Sequence, residues 1–142
     1  MKRVAIAAAF GLTLLLVLAA CSPGVTPTTF QVILNGDQES PPNGSAGFGT
    51  SNVTVVGTKM SIDGAWGGFA IGGAGAHVHG PAGPGENAGV LFGLAYDDEA
   101  GEFWGTFTLT TEELGYLLAG QLYINLHSAA YPDGEIRGQL QP

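Results

Sequence analysis

The three histidines of this 142-residue chain lie in two short motifs that could bind a metal ion. His77 and His79 stand one residue apart in AHVHG, and His127 follows in YINLHS. Residues i and i+2 of a strand point to the same side, so the first two imidazoles can share one ion. A third imidazole from another strand would complete a trigonal site suited to copper or, with an added water molecule, to zinc.

The same histidines also fit a structural role. Each ring could hydrogen-bond a loop carbonyl or a carboxylate such as Glu135, and so hold the turns rich in Gly and Pro in place. The pattern shows on which side of a strand a residue lies, but it does not show which strands are neighbours. Both interpretations therefore stay open at the level of sequence.

Strand alternation places the other unusual side chains on the same side as the histidines. The residues predicted to face the core are Val78, Leu122, Ile124, Leu126, Ile136 and Leu140. His77, His79, Tyr123, Asn125, His127, Glu135 and Arg137 then lie on the opposite side of their strands. Arg137 is predicted to form a structural ion pair or to clamp turn carbonyls. The alternative is that Arg137 and Glu135 support the metal site or guide an anion to it.

Short runs rich in Val, Thr, Gly and aromatic residues predict an all-β fold. Turn signals separate eight such runs, at residues 30–34, 49–56, 59–66, 75–79, 89–96, 102–109, 121–127 and 135–140. About eight strands at this spacing predict an antiparallel β-sandwich or a Greek-key barrel.

One segment, LTTEELGYLLAG, predicts a short helix instead. Thr110 and Glu113 have the spacing of a capping box, and Gly120 is suited to end the helix. Leu114, Leu117 and Leu118 are expected to share the face that packs on the sheet.

The first 21 residues have the features of a secretion signal. Lys2 and Arg3 precede an apolar run at residues 4–18, and the Leu-Ala-Ala-Cys that ends at Cys21 resembles the bacterial lipobox. This resemblance implies cleavage before Cys21 and a lipid on its sulfur. Residues 22–28 then form a tether to a domain at 29–142, which sits on the membrane of the cell envelope, outside the cytoplasm. Ser22 favours the outer membrane if the host has one.

The charge balance excludes one class of partner. The chain carries a net charge of −8, and without its first 21 residues Lys59 and Arg137 face twelve Asp and Glu, a net charge of −10. Binding to nucleic acid needs clustered positive charge, so no nucleic-acid partner is expected. No grouping of a nucleophile with a base stands out, and an enzyme is not the favoured reading.

Four motifs carry a resemblance to a known family. LNGDQESPP, AHVHGPAG, LLAGQLYINLHS and PDGEIRGQL occur in this order and resemble the CHRD domain, named for the repeats of animal chordin. The resemblance covers residues 30–140. It implies a single extracytoplasmic β domain and no settled molecular function for bacterial members. The favoured interpretation is a lipid-anchored binding or structural module rather than an enzyme.

A weaker resemblance is to copper-zinc superoxide dismutase, a Greek-key barrel with a His-x-His strand. It implies copper ligands at His77, His79 and His127 and an anion guide at Arg137. The histidine that bridges copper to zinc, the long zinc loop and the cysteine pair have no counterpart here. The alternatives to a copper-binding module are therefore a redox enzyme at that copper, or a metal-free scaffold for an envelope protein or a polysaccharide.

Overall fold

The computed structural model describes residues 26–142, and the predicted signal and lipidation site at residues 1–21 lie outside this range. The strands are β1 (Thr28–Asn35), β2 (Phe48–Val56), β3 (Lys59–Gly67), β4 (Ala76–His79), β5 (Val90–Asp97), β6 (Glu102–Thr108), β7 (Leu122–Leu126) and β8 (Ile136–Leu140). A 3-10 helix (Gly36–Gln38) follows β1, and the helix α1 (Thr111–Leu118) joins β6 to β7. Neither helix of the described part is long enough and apolar enough to cross a membrane.

All eight strands close into one antiparallel barrel. Their order around the barrel is β1-β2-β3-β6-β5-β4-β7-β8, and β8 returns to pair with β1. The sequential strands β4, β5 and β6 are neighbours, and β3 lies beside β6, which is the Greek-key arrangement. The prediction of an all-β fold with eight strands and one helix is confirmed. Because β8 pairs with β1, the fold is a closed barrel and not an open sandwich.

The barrel interior is filled by alternate residues of the strands. Val53, Ile62, Phe103, Ile124 and Ile136 are among the fully enclosed side chains of a single core. The strands and the core of the described part lie within residues 28–140. Strand β1 begins at Thr28, one residue inside the segment predicted as a tether.

Helix α1 has the predicted caps but a narrower buried face. The Thr110 side chain accepts a bond from the Glu113 backbone N–H, and Glu113 accepts one from the Thr110 backbone N–H. Gly120, at φ +67°, ends the helix. Leu117 is buried, whereas Leu118 is 68% exposed, so the prediction that Leu118 packs on the sheet is wrong. The core contacts Leu114, Tyr116 and Leu117. Leu118 lies about 100° further around the helix than Leu117 and faces solvent.

The outer side of β7 and β8 is also buried, because loops cover it. Every residue of β7 is buried, although only alternate ones face the core. The loop after β1 and the loop after β4 lie over this side, and they are joined where the Ser40 hydroxyl donates to the Gly85 carbonyl and the Asn87 amide to the Ser40 carbonyl. The polar side chains predicted to point away from the core thus lie in a second buried layer beneath loops.

Candidate metal centre

The pairing of β4 with β7 brings the three histidines together. His77 lies opposite Asn125 and His79 opposite Tyr123 in the β4–β7 ladder. His127 stands one residue beyond the end of β7, and its backbone N–H donates to the carbonyl of Gly75, just before β4. Two adjacent strands therefore carry all three side chains on the same outer side of the barrel.

The three rings form a nearly equilateral cluster. Their centres are 5.3 Å apart for His77 and His127, 5.6 Å for His77 and His79, and 5.8 Å for His79 and His127. Three imidazoles bound to one ion through bonds of about 2.0 Å would have ring centres about 5.2 to 5.5 Å apart. The ring nitrogens able to hold an ion lie within 4.8 Å of one another. Two nitrogens bound to one ion at about 2.0 Å lie no more than about 4.0 Å apart, so the rings would have to turn for all three to share an ion.

Two of the rings are hydrogen-bonded through Nδ1 to loop carbonyls. The Nδ1 of His79 is 3.0 Å from the Ala88 carbonyl oxygen, and the Nδ1 of His127 is 2.9 Å from that of Pro132. A carbonyl only accepts, so each Nδ1 carries the proton and each Nε2 keeps its lone pair. A second hydrogen bond of this kind orients most histidines that bind metals in proteins. The hydrogen bonds to loop carbonyls that a structural role predicts would therefore also orient these rings to bind a metal ion.

The opposite ring nitrogens have no partner. The Nε2 atoms of His79 and His127 and the Nδ1 of His77 are buried and make no hydrogen bond within residues 26–142. A buried polar atom left without a partner costs free energy. Three such atoms in one cluster match the needs of a single cation: the Nε2 atoms of His79 and His127 keep their lone pairs, and the Nδ1 of His77 has one in the tautomer that carries the proton on Nε2.

Burial keeps the rings neutral. Desolvation lowers the pKa of all three histidines below the ordinary value of 6.5. For His77 the other two rings lower the pKa further, and for His79 the bond to Ala88 partly opposes the effect of burial. Neutral imidazole is the form that binds metals. The cluster is open to solvent at one point, because His77 is only partly buried while His79 and His127 are buried.

Arg137 supports the histidine cluster by packing on Tyr123, which in turn stacks on His79. The ring of His79 lies parallel to that of Tyr123 at 5.0 Å, and the Arg137 guanidinium lies 3.6 Å from the centre of the Tyr123 ring on the next strand. Its terminal nitrogens donate to the carbonyls of Glu86 and Gly83 at 2.6 and 2.9 Å. At 1% exposure, the guanidinium holds the loop after β4 and presents almost no surface to solvent.

Glu135 lies on the buried outer side but bonds elsewhere. Its Oε1 accepts a hydrogen bond from the Ser45 hydroxyl at 2.5 Å, and its Oε2 is buried without a partner in the described chain. The hydrogen bonds of His79, His127 and Arg137 go to carbonyl or amide oxygens, not to this carboxylate. Glu135 therefore anchors the loop before β2.

Strand alternation placed Asn125 on the outer side, but its buried partner Glu39 was not predicted from the sequence. Burial raises the pKa of Glu39 to about 7, while Arg137 and the bond from Asn125 oppose this rise. The Asn125 amide donates to Glu39 Oε2 at 3.5 Å, and Glu39 Oε1 and Asn125 Oδ1 have no partner among residues 26–142. Asn125 shares a strand side with His127, which was a usable signal. Glu39 stands in a loop, where no periodicity indicates burial.

These features define a small closed β-barrel whose loop-covered side carries three converging histidines. The chain belongs to the CHRD domain family, whose profile matches residues 30–140. Comparison with curated proteins and with solved structures found no match. The molecular function is therefore argued from the site itself.

Proposed function

We propose that this CHRD-domain protein binds one copper ion through His77, His79 and His127. The observation that carries the proposal is a cluster of three imidazole rings in which one nitrogen of each lies within 4.8 Å of the others, and in which each ring has a buried nitrogen with no partner among residues 26–142. Polar atoms are seldom left in this state unless a ligand satisfies them. The loop carbonyls of Ala88 and Pro132 give two of the rings their orientation.

The ligand set favours copper over other ions. It offers nitrogen only, with no carboxylate, which argues against calcium and magnesium. Imidazole suits both copper and zinc, and a given site generally binds Cu²⁺ more tightly than Zn²⁺. Bound copper would supply one-electron redox chemistry. The chain itself holds the rings in place, excludes water on the side of His79 and His127, and leaves access at His77.

The proposed role is binding in the cell envelope. The lipobox-like sequence that ends at Cys21 supports attachment through a lipid on that residue, and residues 22–27 would connect the anchor to β1. The acidic composition supports a domain that does not bind nucleic acid.

A redox enzyme at the same copper is the second candidate. The position of His77 at the opening favours this candidate, since a reactant could reach the ion there. The Greek-key strand order also favours it, because copper-zinc superoxide dismutase is a Greek-key barrel. The state of Arg137 argues against it: its guanidinium is enclosed and already bonded to two carbonyls and to Gln139. An anion guide must meet anions from solvent, so a binding module explains the structure better.

The test is a calorimetric titration of the chain from residue 22 onward with Cu²⁺ and Zn²⁺. We expect one Cu²⁺ per chain, tighter binding of Cu²⁺ than of Zn²⁺, and loss of the saturable binding in His77→Ala and in His127→Ala. Glu99→Ala is the control for binding by surface acids, because Glu99 lies in the exposed β5–β6 turn. Unchanged binding in both histidine variants would contradict the proposal. Faster loss of superoxide with the copper-loaded protein would favour the enzyme.

A further inference from the structure

On the side of the barrel opposite the histidines, the outer face of the sheet is exposed to solvent. Strands β2 and β3 lie across the barrel from β4 and β7. Most outward residues of β1, β2, β3 and β6 are exposed, and in β2 and β3 several of them alternate with buried residues. The side chains of this face therefore meet solvent directly.

One row of side chains crosses this face at right angles to the strands. The register places Gln31 beside Asn52, Asn52 beside Asp63, and Asp63 beside Trp104. Neighbouring strands lie about 4.8 Å apart, so these four residues form a continuous band about 15 Å long. Two amides, a carboxylate and an indole ring thus follow one another in a line.

A groove runs along this row. It consists of two adjoining depressions of about 270 and 450 Å³ that share Asp63, Gly64 and Glu102. Gln31, Thr50 and Asn52 line the first depression, and Trp104 lines the second. A flexible chain-like ligand could lie across the strands and occupy both.

The polar groups of the groove are free to bind a ligand. The side chains of Gln31, Asn52, Asp63 and Glu102 make no hydrogen bond to any other residue of the described range 26–142. On the opposite side of the barrel, polar side chains such as Arg137, Gln139 and Asn43 are used to hold loops. The groove therefore offers donors and acceptors that the fold itself does not use.

Trp104 distinguishes this groove from an ordinary polar surface. Its side chain is 44% exposed, whereas Trp66 is 7% exposed and packs in the core against Phe103. No aromatic ring of the described residues stacks on Trp104. An exposed tryptophan amid hydrogen-bonding groups presents an apolar face for stacking and a polar surround for orientation.

We propose that this groove binds an uncharged polysaccharide. The C–H face of a sugar ring would stack on the indole of Trp104, and its hydroxyl groups would donate to Asp63 and Glu102 and exchange bonds with Gln31 and Asn52. The two carboxylates and the net charge of −8 repel acidic polymers, so among polysaccharides the uncharged ones fit this groove. The inference does not depend on the histidine site, which lies on the other side of the barrel.

The test is affinity electrophoresis of the chain from residue 22 onward in native gels. The gels contain hydroxyethylcellulose or dextran as uncharged polymers, or alginate as an acidic one. We expect retardation by at least one uncharged polymer and none by alginate. Trp104→Ala should weaken binding by about five- to tenfold, the loss expected for one aromatic stacking contact. Asp63→Ala should weaken it by about threefold or more.

Phe48→Ala is the matched control, because Phe48 is an exposed aromatic residue on the same face but outside the groove. It should bind like the wild type, and thermal melting should show that all variants are folded. The proposal is overturned if neither uncharged polymer retards the protein, if Trp104→Ala and Asp63→Ala are retarded as much as the wild type, or if alginate retards it equally. Retardation that follows self-association of the chain, measured by sedimentation, would also overturn it.

Discussion

The buried Glu39 gives the stability of this domain a definite dependence on pH. Its pKa is raised from 4.5 to about 7 in the folded protein. A carboxyl with a raised pKa binds its proton more tightly in the folded state than in the unfolded state. It therefore contributes stability that is complete below pH 4.5 and is lost as the pH rises through 7. At about 1.4 kcal/mol per pH unit, the contribution amounts to about 3 kcal/mol.

The perturbation that isolates this contribution is Glu39→Gln. The amide of glutamine has the shape of the protonated carboxyl and can donate to the unpartnered Oδ1 of Asn125. The three histidines have lowered pKa values, so their own contribution is lost as the pH falls below 6.5 and opposes that of Glu39. The comparison of the two proteins at each pH cancels this effect of the histidines.

The assay is urea denaturation at pH 4 and pH 8 with a chelator present, followed by tryptophan fluorescence. Trp66 is buried and reports the loss of the core. From pH 4 to pH 8, the free energy of unfolding of Glu39→Gln should rise relative to the wild type by about 3 kcal/mol. A difference between the two proteins that stays the same, to within about 1 kcal/mol, at both pH values would refute the reasoning.

Two further substitutions test the packing around the site and the helix. Arg137→Met keeps an apolar stem but removes the hydrogen bonds to Glu86, Gly83 and Gln139. We expect the free energy of unfolding, measured by urea denaturation, to fall by about 2 to 4 kcal/mol, and the loop after β4 to be cleaved faster by proteases. A fall below about 0.5 kcal/mol would show that these hydrogen bonds are not needed for stability. Thr110→Ala removes the cap of α1 and should cost about 1 kcal/mol, measured by thermal unfolding, whereas the nearby Thr111→Ala should cost less.

Most elements of this fold could be predicted because their signals are local. Alternation and turn residues located all eight strands to within about two residues, and the capping box located α1. The helix prediction erred at Leu118, where the width of the buried face depends on how the helix lies on the barrel. Local patterns do not contain that information.

The arrangement of the site depended on long-range pairing that no local pattern shows. Alternation placed His77 and His127 on the outer side of their strands, but 50 residues and three other elements separate them along the chain. Their meeting follows from the antiparallel pairing of β4 with β7. The burial of Arg137 and Glu39 depends on loops that fold back over the barrel, and loops carry no periodicity from which burial could be read.

The central claim is that His77, His79 and His127 share one copper ion. The most direct measurement is the anomalous difference map of crystals grown with Cu²⁺, recorded on both sides of the copper absorption edge. We predict one strong peak between the three rings, about 2.0 Å from one nitrogen of each. The claim would be contradicted if no copper peak lies between the three rings, or if copper is bound only at surface carboxylates.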